Sequence, residues 1–409
     1  MSRLECIDCH ASYPTMELRY SCDCGGLLEV TYEKSTWKKI HPDLFDERLK
    51  SRKAVDRSGV WRFREVIVGV EPEEIVTHPE GQTRLYQREK LSRYGGIDQL
   101  YFKHEGENPT GSFKDRGMTC AITQAKRLGM KVVGCASTGN TSAALAAYAA
   151  HAGLKAVVFL PHGKVSMGKI SQALGYGALC LAIKGDFDHA MSMVQELAAD
   201  GKLYMVNSLN PFRLEGQKSV IWETMQDLSW QGCDWIVVPG GNLGNTSAFG
   251  KALKEAYQAG WIPKLPRIAT IQAAGASPFY ESYKRGFDKL EKMQAETIAS
   301  AVRIGNPVNY PKAAAVIKEL NGVVESVTDD EIMAAKGQID SAGIGCEPAS
   351  ACSLAGAKKL VASGVIKASE RVVCILTGHI LKDPDVILES GVNKLQTVEA
   401  DAAAVLKYL

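Results

Sequence analysis

A single lysine, Lys114, stands in the segment HEGENPTGSFKDRGM, which covers residues 104–118. Turn-forming and small polar residues, Asn108 to Ser112, precede the lysine, and a helical pattern follows at once in MTCAITQAKRLG. A surface lysine needs no such setting. A lysine that bonds covalently to a carbonyl cofactor must be delivered to a fixed place, so the segment predicts a Schiff-base lysine.

The segment GGNLGN, residues 240–245, follows the apolar run DWIVV and precedes a helical pattern. Glycines at 240, 241 and 244 let the backbone turn with its N–H groups facing inward, and the start of the helix adds a positive dipole. The segment therefore predicts a phosphate site made of main chain, with a plain strand-to-helix turn as the alternative. A nucleotide P-loop does not fit, because GENPTGSF has Ser112 where that motif needs lysine.

Two further loops carry hydroxyl and amide side chains. STGNTS, residues 137–142, lies where a helix begins, and NSLNPFR sets Asn207 and Ser208 shortly before Arg213. Arg213 is a planar, permanent cation suited to bidentate phosphate binding, although an arginine seen alone is more often part of a surface salt bridge. Two separate phosphate-type sites and a guarded lysine indicate pyridoxal phosphate beside a phosphorylated substrate.

Short apolar runs alternate with helical patterns from about residue 100 onward. VVGCAS (132–137), KAVVFLP (155–161) and RVVCILTG (371–378) are typical of strands, and NTSAALAAYAAHAG (140–153) is typical of a helix. The alternation predicts an α/β protein with parallel sheets, whose ligands lie at the carboxyl ends of the strands.

The alternating runs separate near residue 210, which suggests two open twisted α/β domains that face each other across a cofactor cleft. We expect a cysteine ribbon at residues 1–35 and a smaller α/β domain at residues 106–210. The large cofactor-binding domain would combine residues 36–105 and 211–409.

Composition excludes several classes of protein. The 409 residues are 45% hydrophobic and 7% aromatic, as in a soluble globular protein. A net charge of +2 gives no reason to expect nucleic acid or a membrane surface as a partner. No signal segment and no run of membrane-spanning length is evident. Seven cysteines scattered in mostly apolar runs suggest a reduced, cytosolic protein.

Four more cysteines lie close together near the N-terminus. Cys6 and Cys9 form a C-x-x-C pair, and Cys22 and Cys24 form a tighter C-x-C pair after twelve intervening residues. Four thiolates at this spacing could bind one structural Zn²⁺ ion, with His10 as an alternative ligand, or the ribbon could be free of metal.

The segments described above resemble the threonine synthase family, within the fold-type II (tryptophan-synthase-β-like) pyridoxal-phosphate enzymes. The matching segments occur in family order over nearly the whole chain: YSCDCGGLLEV, EGENPTGSFKDRG, STGNTS, NSLNPFRLEGQK, GGNLGN, AVRIGNPVN, EP and CILTGHILKDP. One departure lies before the lysine loop, where Arg84 follows Thr83 in GQTRLYQ instead of the family's usual proline.

The resemblance implies a role for each site residue. Lys114 would hold the cofactor and move protons, Phe113 would border the ring, Asn140 would bond the 3′ oxygen and Thr377 would meet the pyridine nitrogen. The cofactor phosphate would be wrapped by Gly240, Gly241, Asn242, Leu243, Gly244 and Asn245. The substrate would be held at its carboxylate end by Ser137, Thr138 and Thr141, and at its phosphate by Asn207, Ser208 and Arg213. Thr138 would also position water, as a second catalytic residue.

The resemblance implies conversion of O-phospho-L-homoserine and water to L-threonine and phosphate, by a cytoplasmic homodimer. Cysteate synthase, which uses O-phosphoserine with sulfite, and threonine or serine dehydratase are alternative activities in the same fold type. A phosphate-binding protein without catalysis is a further alternative, but it leaves the setting of Lys114 unexplained. Some relatives respond to S-adenosylmethionine, and no residue of the sequence points to such a site.

Overall fold

The computed structural model describes residues 2–163, 167–391 and 395–409. The strands are β1 (Ser2–Cys6), β2 (Ser12–Pro14), β3 (Leu28–Tyr32), β4 (Leu85–Gln87), β5 (Gln99–His104), β6 (Val132–Ala136), β7 (Lys155–Pro161), β8 (Leu179–Ile183), β9 (Tyr204–Met205), β10 (Trp235–Pro239), β11 (Arg267–Ala273), β12 (Val323–Val327) and β13 (Arg371–Leu376). The helices are α1 (Lys34–Trp37), α2 (Pro42–Leu49), α3 (Ala54–Arg57), α4 (Glu89–Gly95), α5 (Lys114–Arg127), α6 (Asn140–Ala152), α7 (Met167–Gly175), α8 (Phe187–Ala199), α9 (Pro211–Asp227), α10 (Gly244–Gln258), α11 (Pro278–Lys284), α12 (Tyr310–Glu319), α13 (Asp329–Ser341), α14 (Pro348–Ala362), α15 (Pro384–Gly391) and α16 (Ala402–Leu406).

These strands form three sheets. The largest has the order β12-β11-β10-β13-β5-β4, and all its pairs are parallel except β4 with β5. A four-stranded parallel sheet has the order β8-β7-β6-β9. The third sheet, β2-β1-β3, is antiparallel, and its central strand β1 ends at Cys6.

The predicted α/β class is confirmed, because both larger sheets are built from strand–helix repeats. The strands predicted over 132–137, 155–161 and 371–378 appear as β6, β7 and β13. The strand β10 is buried along its whole length, as expected for an apolar strand covered on both faces. The domain boundaries at residues 35, 105 and 210 stay a prediction.

Helices α5 and α9 pack unusually closely. A β-carbon added at Gly216 of α9 would lie 1.8 Å from the carbonyl oxygen of Arg116 on α5, so only glycine permits this crossing. The first turns of the two helices carry Lys114 and Arg213, and the close crossing therefore brings these two cations to the same region.

The four-cysteine segment is attached to the rest of the molecule by burial and by hydrogen bonds. Leu4, Leu28 and Val30 belong to the largest hydrophobic core cluster.

In the part of the chain that the structure describes, no helix has the length and apolarity to cross a membrane.

Candidate active site

Lys114 is the first residue of α5, and the turn before it is tied to the end of β13. The amide of Phe113 donates to the carbonyl of Thr377 at 3.0 Å, and the amide of His379 donates to the carbonyl of Gly111 at 2.9 Å. Gly111 has φ +85°, a left-handed conformation that suits glycine. The Lys114 ammonium nitrogen lies 4.1 Å from the centre of the Phe113 ring. The lysine is thus held at the carboxyl end of β13.

The pKa of Lys114 is lowered to about 7, chiefly because the surrounding atoms remove water from the ammonium group and secondly because Arg213 is a nearby cation. Glu347 opposes the shift. The side chain still keeps part of its surface accessible. A lysine in this state is substantially a neutral amine near pH 7, and a neutral amine can act as a nucleophile or a base.

Glu347 connects two residues that were predicted to face the cofactor ring. One of its carboxylate oxygens accepts a hydrogen bond from Asn140 Nδ2, and the other accepts one from Thr377 Oγ1, both at 3.0 Å. Ser350 Oγ also lies 3.0 Å from Thr377 Oγ1. Burial raises the pKa of the Glu347 carboxyl, while these two hydrogen bonds and Lys382 lower it. Asn140 and Thr377 therefore converge on a buried acid at the start of α14.

The glycine loop lies between β10 and α10, as predicted. Leu243 has φ +62° and a buried side chain, so its backbone rather than its side chain faces outward from the core. A β-carbon at Gly240 would lie 2.6 Å from Thr270 Cγ2, so a larger residue would force the buried Thr270 or the loop to shift. The buried Asn245 Oδ1 has no hydrogen-bond partner among the described residues. The loop ends at a helix N-terminus, where free N–H groups and the dipole favour an anion.

The side chain of Asn242 is already engaged by the chain itself. Its Oδ1 accepts a hydrogen bond from the amide of Val308 at 3.4 Å, and its carbonyl accepts one from the amide of Asn309 at 3.2 Å. Asn242 thus ties the glycine loop to the segment RIGNPVN, and its direct contact with a cofactor phosphate stays a prediction.

Arg213 is a buried cation with no counter-ion among the residues that the structure describes. Only 1% of its surface is exposed. One terminal nitrogen donates to the carbonyl of Val206 at 2.7 Å, while Nε has no hydrogen-bond partner in the described residues. Burial lowers the pKa of Arg213 to about 10, and no carboxylate of the described residues compensates it. A buried guanidinium is costly unless it is paired, so this site is built to receive an anion.

Asn207 supports the neighbouring loop. Its amide oxygen accepts from the amide of Ala136 at 3.1 Å, and its amide nitrogen donates to the carbonyl of Ala136 at 2.9 Å. Both ends of the Asn207 side chain therefore fix the strand end that precedes residues 137–141. The carbonyl of Ser208, the next residue, accepts from Asn309 Nδ2 at 3.3 Å. Direct binding of a substrate phosphate by Asn207 and Ser208 stays a prediction.

The loop that Asn207 supports leaves its own side chains accessible. Ser137, Thr138 and Thr141 are half-buried, and Asn140 begins α6. Hydroxyl groups at the start of a helix that remain partly open to solvent can donate hydrogen bonds to a substrate carboxylate. The predicted cysteine ligands also converge, since the sulfur atoms of Cys6, Cys9, Cys22 and Cys24 all lie within 4.8 Å of one another.

Comparison with known proteins agrees with this geometry. The family described as pyridoxal-phosphate dependent enzyme matches residues 76–378. The threonine synthase of Methanocaldococcus jannaschii is 47% identical over 406 residues, which cover 99% of this chain and 98% of that protein. This chain belongs to the threonine synthase family.

Two further comparisons extend this result. The threonine synthase of Methanosarcina acetivorans is 48% identical over 95% of this chain and 94% of its own length. The crystal structure of threonine synthase from Escherichia coli superposes with a TM-score of 0.72 and covers 99% of this chain and 94% of its own. Because its identity is 17%, that likeness concerns the fold alone. The predicted family, fold class and cofactor class are confirmed.

The family's pyridoxal phosphate fits the residues that the structure brings together. Lys114 supplies an amine of lowered pKa, and the loop at Gly240 supplies backbone donors at a helix start. The orphaned Asn245 Oδ1 and the uncompensated Arg213 leave polar groups for bound molecules. These residues could hold pyridoxal phosphate, with Lys114 as its covalent anchor and the loop at Gly240 as its phosphate site.

Arg84, the departure from the family's usual proline, has a contact that proline could not make. Its backbone amide donates to Glu107 Oε2 at 2.7 Å, and its guanidinium lies 3.3 Å from Glu107 Oε1. Thr83 keeps a comparable anchor, because its hydroxyl donates to Glu105 Oε1 at 2.8 Å. Hydrogen bonds to Glu105 and Glu107 thus hold the loop at the position where the family usually has proline.

Proposed function

We propose that this chain is a threonine synthase that converts O-phospho-L-homoserine and water to L-threonine and phosphate, the last step of threonine biosynthesis. The observation that carries this proposal is that Lys114 lies near Arg213. Arg213 is a buried cation that has no counter-ion in the described residues. A dehydratase acting on free threonine or serine has no phosphate to place there. The threonine synthase relatives that match nearly the full chain support the same substrate.

The cofactor site would be formed by three groups of residues. Lys114 would hold the aldehyde carbon as a Schiff base, with Phe113 beside the ring. Backbone amides of residues 240–245 would bind the cofactor phosphate. Asn140, Thr377 and Glu347 would face the ring edge that carries the oxygen and the nitrogen. When bound, pyridoxal phosphate stabilises negative charge at the carbon from which a proton has been removed.

Lys114 would serve as the base and the acid of the reaction. As a free amine, Lys114 would take the proton from the substrate α-carbon and return protons later in the cycle. These transfers need a lysine that exchanges its proton near pH 7, and the lowered pKa of Lys114 satisfies this condition. Thr377 would meet the ring nitrogen with a hydroxyl rather than a carboxylate, and a hydroxyl would not enforce a charged ring.

Arg213 would hold the substrate phosphate, and later the phosphate that leaves from the γ-carbon. A guanidinium can bind phosphate through two parallel N–H donors, which fixes the direction of the departing oxygen. Asn207 and Ser208 would bind the same phosphate, and Asn207 also bonds to Ala136 at the strand end that precedes residues 137–141. The Ser137, Thr138 and Thr141 hydroxyls would bind the carboxylate, and Thr138 would direct water to the β-carbon.

The remaining proposals concern the state of the protein. We propose that the ribbon and the two α/β domains divide at residues 35, 105 and 210, with the cofactor between the two domains. We also propose a cytoplasmic homodimer, as the family resemblance implies. The eleven cysteines are free thiols, which is consistent with a reducing compartment. Light scattering coupled to gel filtration would measure the dimer directly.

The proposed reaction predicts equal amounts of L-threonine and inorganic phosphate from O-phospho-L-homoserine. Purified protein with added pyridoxal phosphate would be assayed for both products, with O-phospho-L-serine plus sulfite and L-threonine alone as comparison substrates. Phosphate release without threonine, or faster turnover of either comparison substrate, would contradict the proposed activity. The Arg213→Lys variant is a matched control, because it keeps the charge but lacks the two-donor fork.

A further inference from the structure

We propose that Cys6, Cys9, Cys22 and Cys24 bind one structural Zn²⁺ ion, and that this ion fastens the loop between the two cysteine pairs onto the four-stranded sheet. The sulfur atoms of Cys6 and Cys24 lie 3.6 Å apart, and those of Cys9 and Cys22 lie 3.4 Å apart. Zinc–sulfur bonds of about 2.3 Å in a tetrahedron place the sulfurs about 3.8 Å apart. The four sulfurs already surround a space of this size.

The backbone around the cysteines is shaped for sulfur ligands. The amide of Asp8 donates to Cys6 Sγ at 3.4 Å, and the Tyr13 hydroxyl lies 3.0 Å from Cys22 Sγ. Donors of this kind stabilise thiolates bound to a metal. A β-carbon at Gly26 would lie 2.6 Å from Cys6 Sγ, so the glycine after the C-x-C pair makes room for the sulfur.

The segment that carries the cysteines has little core of its own. Its three strands contain five, three and five residues. Units this small usually depend on a metal or a disulfide, because they bury too little apolar surface to offset the entropy of folding. All four cysteines are free thiols, so a metal ion is the cross-link that this chemistry offers.

The loop closed by the metal, residues 10–21, bonds to elements of the active-site side. The amide of Met205 in β9 donates to the Tyr20 hydroxyl at 2.8 Å, and Gln124 of α5 donates to the carbonyl of Thr15 at 2.6 Å. The strands of the same segment bond elsewhere: Lys312 of α12 donates to the carbonyl of Leu28 at 2.6 Å. The segment therefore joins the four-stranded sheet to the helices of the larger sheet.

Metal analysis of the purified holoenzyme tests the binding site. We expect one equivalent of zinc per chain, lost on substitution of an exposed ligand in Cys9→Ser or Cys24→Ser. Cys180→Ser is the matched control, because Cys180 is a partly exposed cysteine outside the cluster, and it should retain the zinc. Zinc at the wild-type level in Cys9→Ser would overturn the assignment. If the variants do not fold, the wild type decides: no zinc after growth in zinc-supplemented medium would also overturn it.

Hydrogen exchange tests the fastening of the loop and does not depend on the enzymatic activity. Removal of zinc by a chelator under reducing conditions should raise exchange in residues 10–21 and at the Met205 amide. Tyr20→Phe, which removes the acceptor of that amide, should raise exchange at Met205 while the zinc content stays unchanged. Unchanged exchange at both places after zinc removal would overturn the proposal that the ion holds this loop.

Discussion

Replacement of Arg213 separates two effects that the structure assigns to one side chain. Its guanidinium would bind the substrate phosphate, and its charge helps to lower the pKa of Lys114. Arg213→Met removes the fork and the charge, whereas Arg213→Lys removes the fork and keeps a charge. The two variants should therefore differ in kcat/KM and in the pH dependence of kcat.

The size of the first effect follows from the hydrogen bonds at stake. One terminal nitrogen of Arg213 is occupied by Val206, and Nε is without a partner in the described residues. Two charge-assisted bonds to phosphate, at ~1.5–3 kcal/mol each, give ~3–6 kcal/mol. Arg213→Met should thus lower kcat/KM for O-phospho-L-homoserine on the order of 10²- to 10⁴-fold, at about 1.4 kcal/mol per factor of ten. Arg213→Lys should lose less.

The second effect has a definite sign. Arg213 lowers the pKa of Lys114, so its removal raises that pKa above its present value of about 7. Because Lys114 is a free amine only after the substrate amine has displaced it, the acid limb of the pH profile of kcat should move to higher pH in Arg213→Met and stay nearly in place in Arg213→Lys.

Steady-state rates of phosphate release between pH 6 and about 9 would measure both effects. Thermal unfolding serves as the control for folding, since loss of an uncompensated buried cation should not lower Tm greatly. A folded Arg213→Met variant with kcat/KM within about twofold of wild type would refute the phosphate role. An unshifted acid limb in that variant would refute the electrostatic role.

Three further substitutions test other parts of the site. Glu347→Gln should lower kcat by about tenfold or more. Asn140 and Thr377 each donate to one carboxylate oxygen of Glu347, and the glutamine amide has a single acceptor oxygen. An unchanged kcat would contradict this. Gly240→Ala should weaken binding of pyridoxal phosphate by about five- to a hundredfold, as expected for ~1–3 kcal/mol of overpacking, whereas Gly337→Ala, which meets only open space, should leave it unchanged in a fluorescence titration. Arg84→Pro should lower the free energy of unfolding by ~1–3 kcal/mol in urea, because Glu107 loses a backbone donor. Arg84→Ala loses only an exposed ion pair and should cost ~0–1 kcal/mol; equal losses for both variants would contradict the backbone argument.

The sequence was sufficient to predict the strands whose residues are continuously apolar, such as β7 and β13. It was also sufficient for the loops that follow them, because glycine, hydroxyl and amide residues in those loops have direct physical meanings. Strand β5 was not predicted, since its pattern contains Lys103, whose buried ammonium is compensated by Glu223 at 2.8 Å and Asp227 at 2.7 Å. Such long-range ion pairs leave no local mark in the sequence.

Two site residues show the same limit. Glu347 was not predicted as a functional residue, because an acid before a proline at a helix start is an ordinary pattern. Its hydrogen bonds to Asn140 and Thr377 come from the packing of distant segments. Asn207 is predicted to bind phosphate, which stays a prediction, and its two hydrogen bonds to Ala136 across neighbouring strands could not be read from the sequence. The sequence could predict that these loops carry polar groups but not how the groups pair.

The central claim is that Lys114 holds the cofactor, and reduction of the holoenzyme with borohydride tests it most directly. Reduction fixes a Schiff base, and peptide mass spectrometry then locates the modified lysine. Lys382 is a sharp internal comparison, because burial also lowers its pKa and its ammonium bonds the carbonyl of Thr110 at 2.8 Å. We predict a single modification at Lys114, absent in Lys114→Ala. Modification at Lys382 in the wild type, or none at Lys114, would contradict the account.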